Sequence, residues 1–500
     1  MIPEKNEMLG DFFDGEDCAT LFAAASLLRS SKNTKLAPKS SSSLIDPFQT
    51  SSSMLTPSDS MTSSSADENS SIEGGDDEAP TATAMTVGSK QRSDRWDVIE
   101  SSEHAKNTIN PIRSIVDMMN IEHNPKKELI RLNIGDPTVC GILPTHPIVC
   151  QAIVNSLTSG KYNGYGPAVG FVEARQAVAD HVTCPEAPVT ADDVILTSGC
   201  SHGLQFAIES LANPGQNILV PRPGFPLYVT LMRPMGIQER FYDLLPQKDW
   251  QCDLESMESL IDENTAAIII NNPSNPCGAV YSKQHLEKIL RLAEYYRLPI
   301  IADEIYGNMV YGGAKFHPLA TLRPKVPIIT CDGISKRYLV PGWRLGWVII
   351  HDVEGALSEV RHGIRQLAQK IVGPSSLVQG ALPSILKSTP TEFFDHTRAV
   401  LSTNASLVYQ NLSTAPGLTP VRSFGAMYIM IGVDMSAFPD FGSELEFIKK
   451  LLVEESVYCL PGSAFNYPGA FRIVLTNRCE NILEACQRIR SFCARHFKIA

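Results

Sequence analysis

A chain of 500 residues with 43% hydrophobic content exceeds what one domain usually needs and can bury a sizeable core. Charged residues make up only 19% and the formal net charge is −11, which argues against a nucleic-acid surface. No apolar run reaches the length of about eighteen residues that a membrane-spanning helix needs.

The chain starts acidic, with Glu4, Glu7, Asp11, Asp14, Glu16 and Asp17, unlike the basic starts of secretory signals and mitochondrial presequences. Its 12 cysteines form no CxxC pair and no repeating spacing. They read as reduced, mostly buried thiols of a cytoplasmic protein, with no metal site. Residues 1–93 are rich in serine and acidic residues and poor in aromatics, a composition that cannot bury enough apolar surface to offset its ordering entropy. We expect a disordered tail there, solvated or regulatory.

From Trp96 onward, short apolar runs alternate with helical stretches. The runs are Val194–Leu196, Asn217–Val220, Ala267–Ile270, Pro299–Ala302, Ile328–Thr330 and Trp347–Ile350. Continuously apolar strands suit a mainly parallel α/β sheet covered by helices on both faces. A helix is expected after Ser282, with Leu286, Ile289, Leu290 and Ala293 on one face. Thr197-Ser198-Gly199-Cys200-Ser201 connects a strand to a helix beginning near Ser201, so free N–H groups there suit an anion.

Asp303 ends the strand Ile300–Ala302, at the edge where ligands meet an open α/β sheet. Lys336 follows a predicted buried strand, where an unpaired ammonium is costly. A covalent imine with an aldehyde cofactor resolves that cost. Arg344, eight residues on, offers a planar fork for a phosphate.

After about residue 375 the rhythm changes. Thr389-Pro390-Thr391-Glu392 predicts a capping box, with Pro390 at the first helical position of a helix running to about Leu412. Two strands, Ala426–Met430 and Phe471–Leu475, and a terminal helix complete a smaller α+β domain. The expected boundaries are 1–93 for the tail, 94–146 and 376–500 for the small domain, and 147–375 for the large one. Arg472 lies in an otherwise apolar strand and needs a carboxylate partner, which an internal ion pair would supply.

The segment Ser335-Lys336-Arg337-Tyr338-Leu339-Val340-Pro341-Gly342-Trp343-Arg344 resembles the lysine signature of fold-type I pyridoxal-phosphate enzymes, in the class I and II aminotransferase group. Asn271–Gly278, Val220–Phe225 and Ala302–Gly307 add to the resemblance, which runs from Trp96 to the C-terminus. It implies pyridoxal 5′-phosphate held by Lys336, and transamination of L-tyrosine with 2-oxoglutarate in tyrosine and phenylalanine catabolism. It also implies Asp303 at the pyridine nitrogen, and Tyr306 and Asn275 at the phenolic oxygen. Phe225 would stack on the ring, and Gly199, Cys200, Ser201, Ser335 and Arg344 would lie at the phosphate. Arg472 would clamp the substrate carboxylate, with Gly135 and Asn275 beside it.

Tyr165 would be donated across a homodimer interface to the neighbour's phosphate. Singly, Asp303 reads equally as a helix cap, Asn275 as a turn residue, and Tyr306 and Phe225 as core aromatics. Gly333 departs from the family, many members of which have a phosphate-binding serine there. A carbon–sulfur lyase, an aminotransferase of other specificity and a non-catalytic scaffold are the alternatives.

Overall fold

The computed structural model describes Trp96 and residues 98–118, 122–322 and 324–498. The tail expected over 1–93 lies outside the described residues. Among the described residues fourteen strands occur: β1 (Ile130–Arg131), β2 (Val194–Thr197), β3 (Asn217–Arg222), β4 (Gln238–Leu245), β5 (Gln251–Cys252), β6 (Thr265–Asn271), β7 (Ile300–Asp303), β8 (Ile328–Gly333), β9 (Gly346–His351), β10 (Leu418–Pro420), β11 (Tyr428–Val433), β12 (Val457–Tyr458), β13 (Leu460–Pro461) and β14 (Ala470–Val474).

The larger sheet has eight strands in the order β2-β9-β8-β7-β6-β3-β4-β5. Its centre is parallel, through β8–β7, β7–β6, β6–β3 and β3–β4. β9 runs antiparallel to both β2 and β8, and β5 is antiparallel to β4. The apolar runs become its centre because both faces are covered. Ile269, Ile301 and Ile329 pack in one cluster with Leu204, Ala207 and Ile208 of helix Cys200–Leu211. Ile268, Ile270, Ile300 and Ile328 point the other way, onto Leu286, Ile289, Leu290 and Ala293 of helix Lys283–Tyr296. Each such side chain contributes about 1.5–3 kcal/mol by burial. The second helix follows Ser282 as expected, and Ser282 caps it by accepting from the His285 N–H. β4 escapes sequence reading because Gln238-Glu239-Arg240 opens it with polar residues, as befits a strand near the sheet edge.

The smaller sheet is antiparallel throughout, in the order β10-β11-β14-β13. The expected helix runs Thr391–Leu412, but the capping box does not form. Pro390 is the residue before the first helical position, and the Thr389 hydroxyl donates backwards to the Ile385 carbonyl at 2.8 Å. Thr389 closes the preceding helix, Ser376–Ser388, so its hydroxyl is already engaged. Cys200, Cys252, Cys277, Cys331, Cys459, Cys486 and Cys493 are free and buried. Among the described residues no helix is long and apolar enough to cross a membrane, and no acidic, histidine or cysteine cluster converges as a metal site.

Candidate active site

The parallel strands β6, β7 and β8 deliver Asn271, Asp303 and Gly333 to one edge of the sheet. A cavity of about 310 Å³ opens there, lined by Asn275, Asp303, Tyr306 and Lys336 together with Phe225, Ser335, Arg344, Gly135 and Arg472. A single helical turn, Ile334–Arg337, follows β8 and places the Lys336 amine against the Gly135 carbonyl at 2.8 Å. Gly135 must lack a side chain, since a Cβ would lie 2.2 Å from the Tyr428 hydroxyl oxygen. Gly333 has an equally concrete reason. It faces Gly346 across β8 and β9, and a Cβ would meet the Gly346 Cα and the Leu345 carbonyl oxygen at 2.8 Å. The main chain of Leu345 and Gly346 leaves no room for a side chain at this position.

Asp303 is 2% exposed and held from three sides. Its Oδ2 accepts from the Tyr228 hydroxyl at 2.6 Å, and its Oδ1 from the Ile305 N–H at 3.4 Å and the Cys200 thiol at 3.7 Å. Burial pushes its carboxyl above the ordinary range, and the three donors oppose that shift. Cys200, expected at a phosphate, therefore turns its thiol toward Asp303. Burial and the adjacent Asp303 keep that thiol protonated.

Arg472 is 2% exposed, yet pairs with no carboxylate among the described residues. It donates from Nη1 to Asn275 Oδ1 at 2.9 Å and from Nη2 to the Asn133 carbonyl at 2.7 Å. Its Nε has no partner among the described residues. The guanidinium lies 4.2 Å from the Tyr428 ring centre and 4.8 Å from that of Phe465. The internal ion pair that the sequence left open is absent among the described residues. A buried cation solvated by neutral oxygens and aromatic faces retains the capacity to take an anion. Tyr306 reaches the same place, its hydroxyl 2.8 Å from that of Tyr428. Burial and the Tyr428 hydroxyl push it far above the usual tyrosine range, so it stays a neutral hydrogen-bonding group.

At the opposite end Gly199, with φ 80°, opens helix Cys200–Leu211. The Arg344 Nη2 donates to the Ser198 carbonyl and to Ser201 Oγ, each at 3.0 Å. A Cβ on Gly199 would come within 2.5 Å of that guanidinium. The helix start and the arginine fork thus form an anion cradle. His202, in the first turn of that helix, accepts from the Ser198 N–H through Nδ1. Tyr165 stands apart, 94% exposed and outside the cavity lining. Sequence reasoning missed Tyr228, Tyr428 and Asn133. The two tyrosines sit in apolar stretches and look like core, and Asn133 contributes only its main chain.

A lysine, a buried carboxylate, a carboxylate-ready arginine and an anion cradle in one cavity at the ends of parallel strands define a fold-type I aminotransferase. Residues 127–489 match the family model Aminotransferase class I and II, and the chain belongs to that family. Within it, the chain is 54% identical to tyrosine aminotransferase of Mus musculus over 412 residues, 82% of this chain and 90% of that protein. It is 53% identical to tyrosine aminotransferase of Caenorhabditis elegans over 407 residues, 81% of this chain and 87% of that protein. A crystal structure of tyrosine aminotransferase from Leishmania infantum superposes with a TM-score of 0.78 at 36% identity, covering 81% of this chain and all of that one.

Proposed function

We propose that the chain transaminates L-tyrosine, and other aromatic amino acids, with 2-oxoglutarate, giving 4-hydroxyphenylpyruvate and glutamate in cytoplasmic aromatic amino-acid catabolism. The observation that carries this reading is the Lys336 amine in one cavity with Arg472, a buried cation lacking a carboxylate partner among the described residues. The cofactor is pyridoxal 5′-phosphate. When bound, it supplies an aldehyde that captures the amino group and a ring that takes up the electron pair left by the departing α-proton.

The residues fit that group. Lys336 would hold its aldehyde carbon, and Arg344, Ser201, Ser335 and the N–H groups after Gly199 its phosphate. Asp303 would hold its ring nitrogen, Phe225 its face, and Tyr306 and Asn275 its phenolic oxygen. Arg472 binds the substrate α-carboxylate and fixes the α-carbon's orientation. Lys336 Nζ would take the α-proton and deliver it to the carbon contributed by the cofactor's aldehyde, as a general acid–base.

We further propose a homodimer in which Tyr165 reaches the neighbour's phosphate. Its exposure, and its position outside its own chain's cavity, support this. We also propose a large domain over 147–375, which contains β2–β9. Residues 94–146 and 376–500 then form the small domain, a division supported by the β1–β12 pairing. Incubation with tyrosine and 2-oxoglutarate should yield both products, and Lys336→Ala should abolish turnover and the visible absorbance of lysine-bound cofactor. A Lys336→Ala variant that transaminates at the wild-type rate overturns the proposal. Cystine alone giving pyruvate and ammonia would mark a lyase instead.

A further inference from the structure

Another cleft, of about 200 Å³, lies between helix Thr391–Leu412, the pair Tyr311 and Gly312 after β7, and the stretch Arg422–Phe424 that joins β10 to β11. Space exists there because the helix turns Ser402, Ala405 and Ser406 toward it, at three- and four-residue spacing, while Leu401, Val408 and Leu412 fill the buried side. Arg422 carries the only charge in the lining, and no carboxylate faces it from any of the three walls among the described residues. Its guanidinium lies 4.3 Å from the Tyr409 ring centre and makes no hydrogen bond or ion pair among the described residues. Stacking on a ring leaves the in-plane N–H groups of a guanidinium free to donate. The Ser402 hydroxyl and the Gln410 amide, on the helix wall, also have no partner among the described residues. Three kinds of unengaged donor around one cation suit a compact, oxygen-rich anion.

The stretch bearing Arg422 is tied tightly to the larger sheet's loops. The Tyr311 N–H donates to the Phe424 carbonyl at 2.9 Å, and the Tyr311 hydroxyl lies 2.7 Å from Ser423 Oγ. The N–H groups of Phe424 and Gly425 both donate to the Gly278 carbonyl at 2.9 Å. A Cβ on Gly278 would sit 2.0 Å from Ser423 Oγ, so the two segments cannot shift independently. Both lead into the active site. Gly278 closes the loop that carries Asn275, and Tyr428 opens β11 three residues after Gly425. Asn275 Oδ1 accepts from Arg472, and the Tyr428 ring lies against the same guanidinium.

We propose that this cleft binds a small metabolite through a phosphate or carboxylate group on Arg422, and that its occupation changes substrate binding at Arg472. The second half rests on the transamination reading, whereas the first does not. Calorimetry on the cofactor-loaded full chain, its active site filled with 3-phenylpropionate, follows glycerol 3-phosphate in one arm and glycerate in the other. We expect saturable binding of at least one probe below about 10 mM. Arg422→Gln should weaken it at least about 10-fold, as loss of a charge-assisted hydrogen bond predicts, and Arg422→Lys should recover part. The arm that binds identifies the group recognised. With the bound probe present, KM for tyrosine should move about 5-fold or more in the wild type and not in Arg422→Gln, whose activity without the probe should stay near that of the wild type. Equal affinity in wild type and Arg422→Gln, or no binding of either probe up to about 20 mM, overturns the site. Binding that depends on Arg422 but leaves KM unmoved overturns the link to Arg472. A wild-type protein that fails to transaminate sinks the parent reading instead, and calorimetry still decides the cleft.

Discussion

Tyr228→Phe removes one oxygen atom from a fully buried position and leaves the packing around it intact. In the wild type that hydroxyl lies 2.6 Å from Asp303 Oδ2 and is the closest of the donors to this carboxylate. What remains is a long N–H contact from Ile305 at 3.4 Å and a weak thiol contact from Cys200 at 3.7 Å. A hydrogen bond to a charged group contributes about 1.5–3 kcal/mol net. Its loss falls on the ionised form of Asp303, which burial already disfavours. If that form supports the pyridine nitrogen of the cofactor, kcat should fall roughly 10- to 100-fold while KM for tyrosine changes little. The acid limb of the kcat profile should move to higher pH, since Asp303 now takes up its proton more readily. Stopped-flow half-reactions across pH, with cofactor affinity measured by fluorescence, separate this from simple unfolding. A variant with reduced kcat but an unmoved acid limb would refute the assignment of Tyr228 to Asp303's charge.

Two other substitutions test different parts of the site. Arg472→Lys keeps the charge but cannot span Asn275 Oδ1 and the Asn133 carbonyl together, so kcat/KM should drop about 100-fold for every amino and keto acid alike. A loss confined to dicarboxylates would contradict the role given to Arg472. Glu304→Gln addresses stability. Burial pushes the Glu304 carboxyl up to about 8, so the folded state favours the protonated form. The stability this provides is complete below the ordinary carboxyl range and is lost as pH rises through about 8. The glutamine keeps an acceptor for the Leu319 N–H, so its melting temperature should stay flat between about pH 5 and 8, where the wild type declines. Parallel curves in differential scanning calorimetry would rule this out.

Much of the site was legible in the sequence because its chemistry breaks local rules. Lys336 after a buried strand and Arg472 inside one are charges that apolar surroundings do not tolerate without a reason. Asp303 was legible from its place at the end of a parallel strand. What escaped were groups whose role depends on direction. Tyr228, in helix Leu227–Met232, has no pattern that separates it from core, and only the fold aims its hydroxyl at Asp303. Tyr428 likewise reads as a strand aromatic until Tyr306 is brought to it from β7's far end. The capping-box expectation at Thr389 failed for a related reason. A hydroxyl between two helices can serve either, and that of Thr389 bonds back to the Ile385 carbonyl.

The stretch Asn133–Gly135 has a consequence of its own. Two of its main-chain carbonyls receive the site's substrate-handling cations, Arg472 at Asn133 and Lys336 at Gly135. The separation between those cations is therefore gauged by a length of polypeptide, not by any side chain. Side-chain replacement at Asn133 cannot erase such an acceptor, whereas inserting or deleting one residue shifts it bodily. This part of the active site is therefore encoded in chain length and register, where substitution scanning is blind and an indel is decisive.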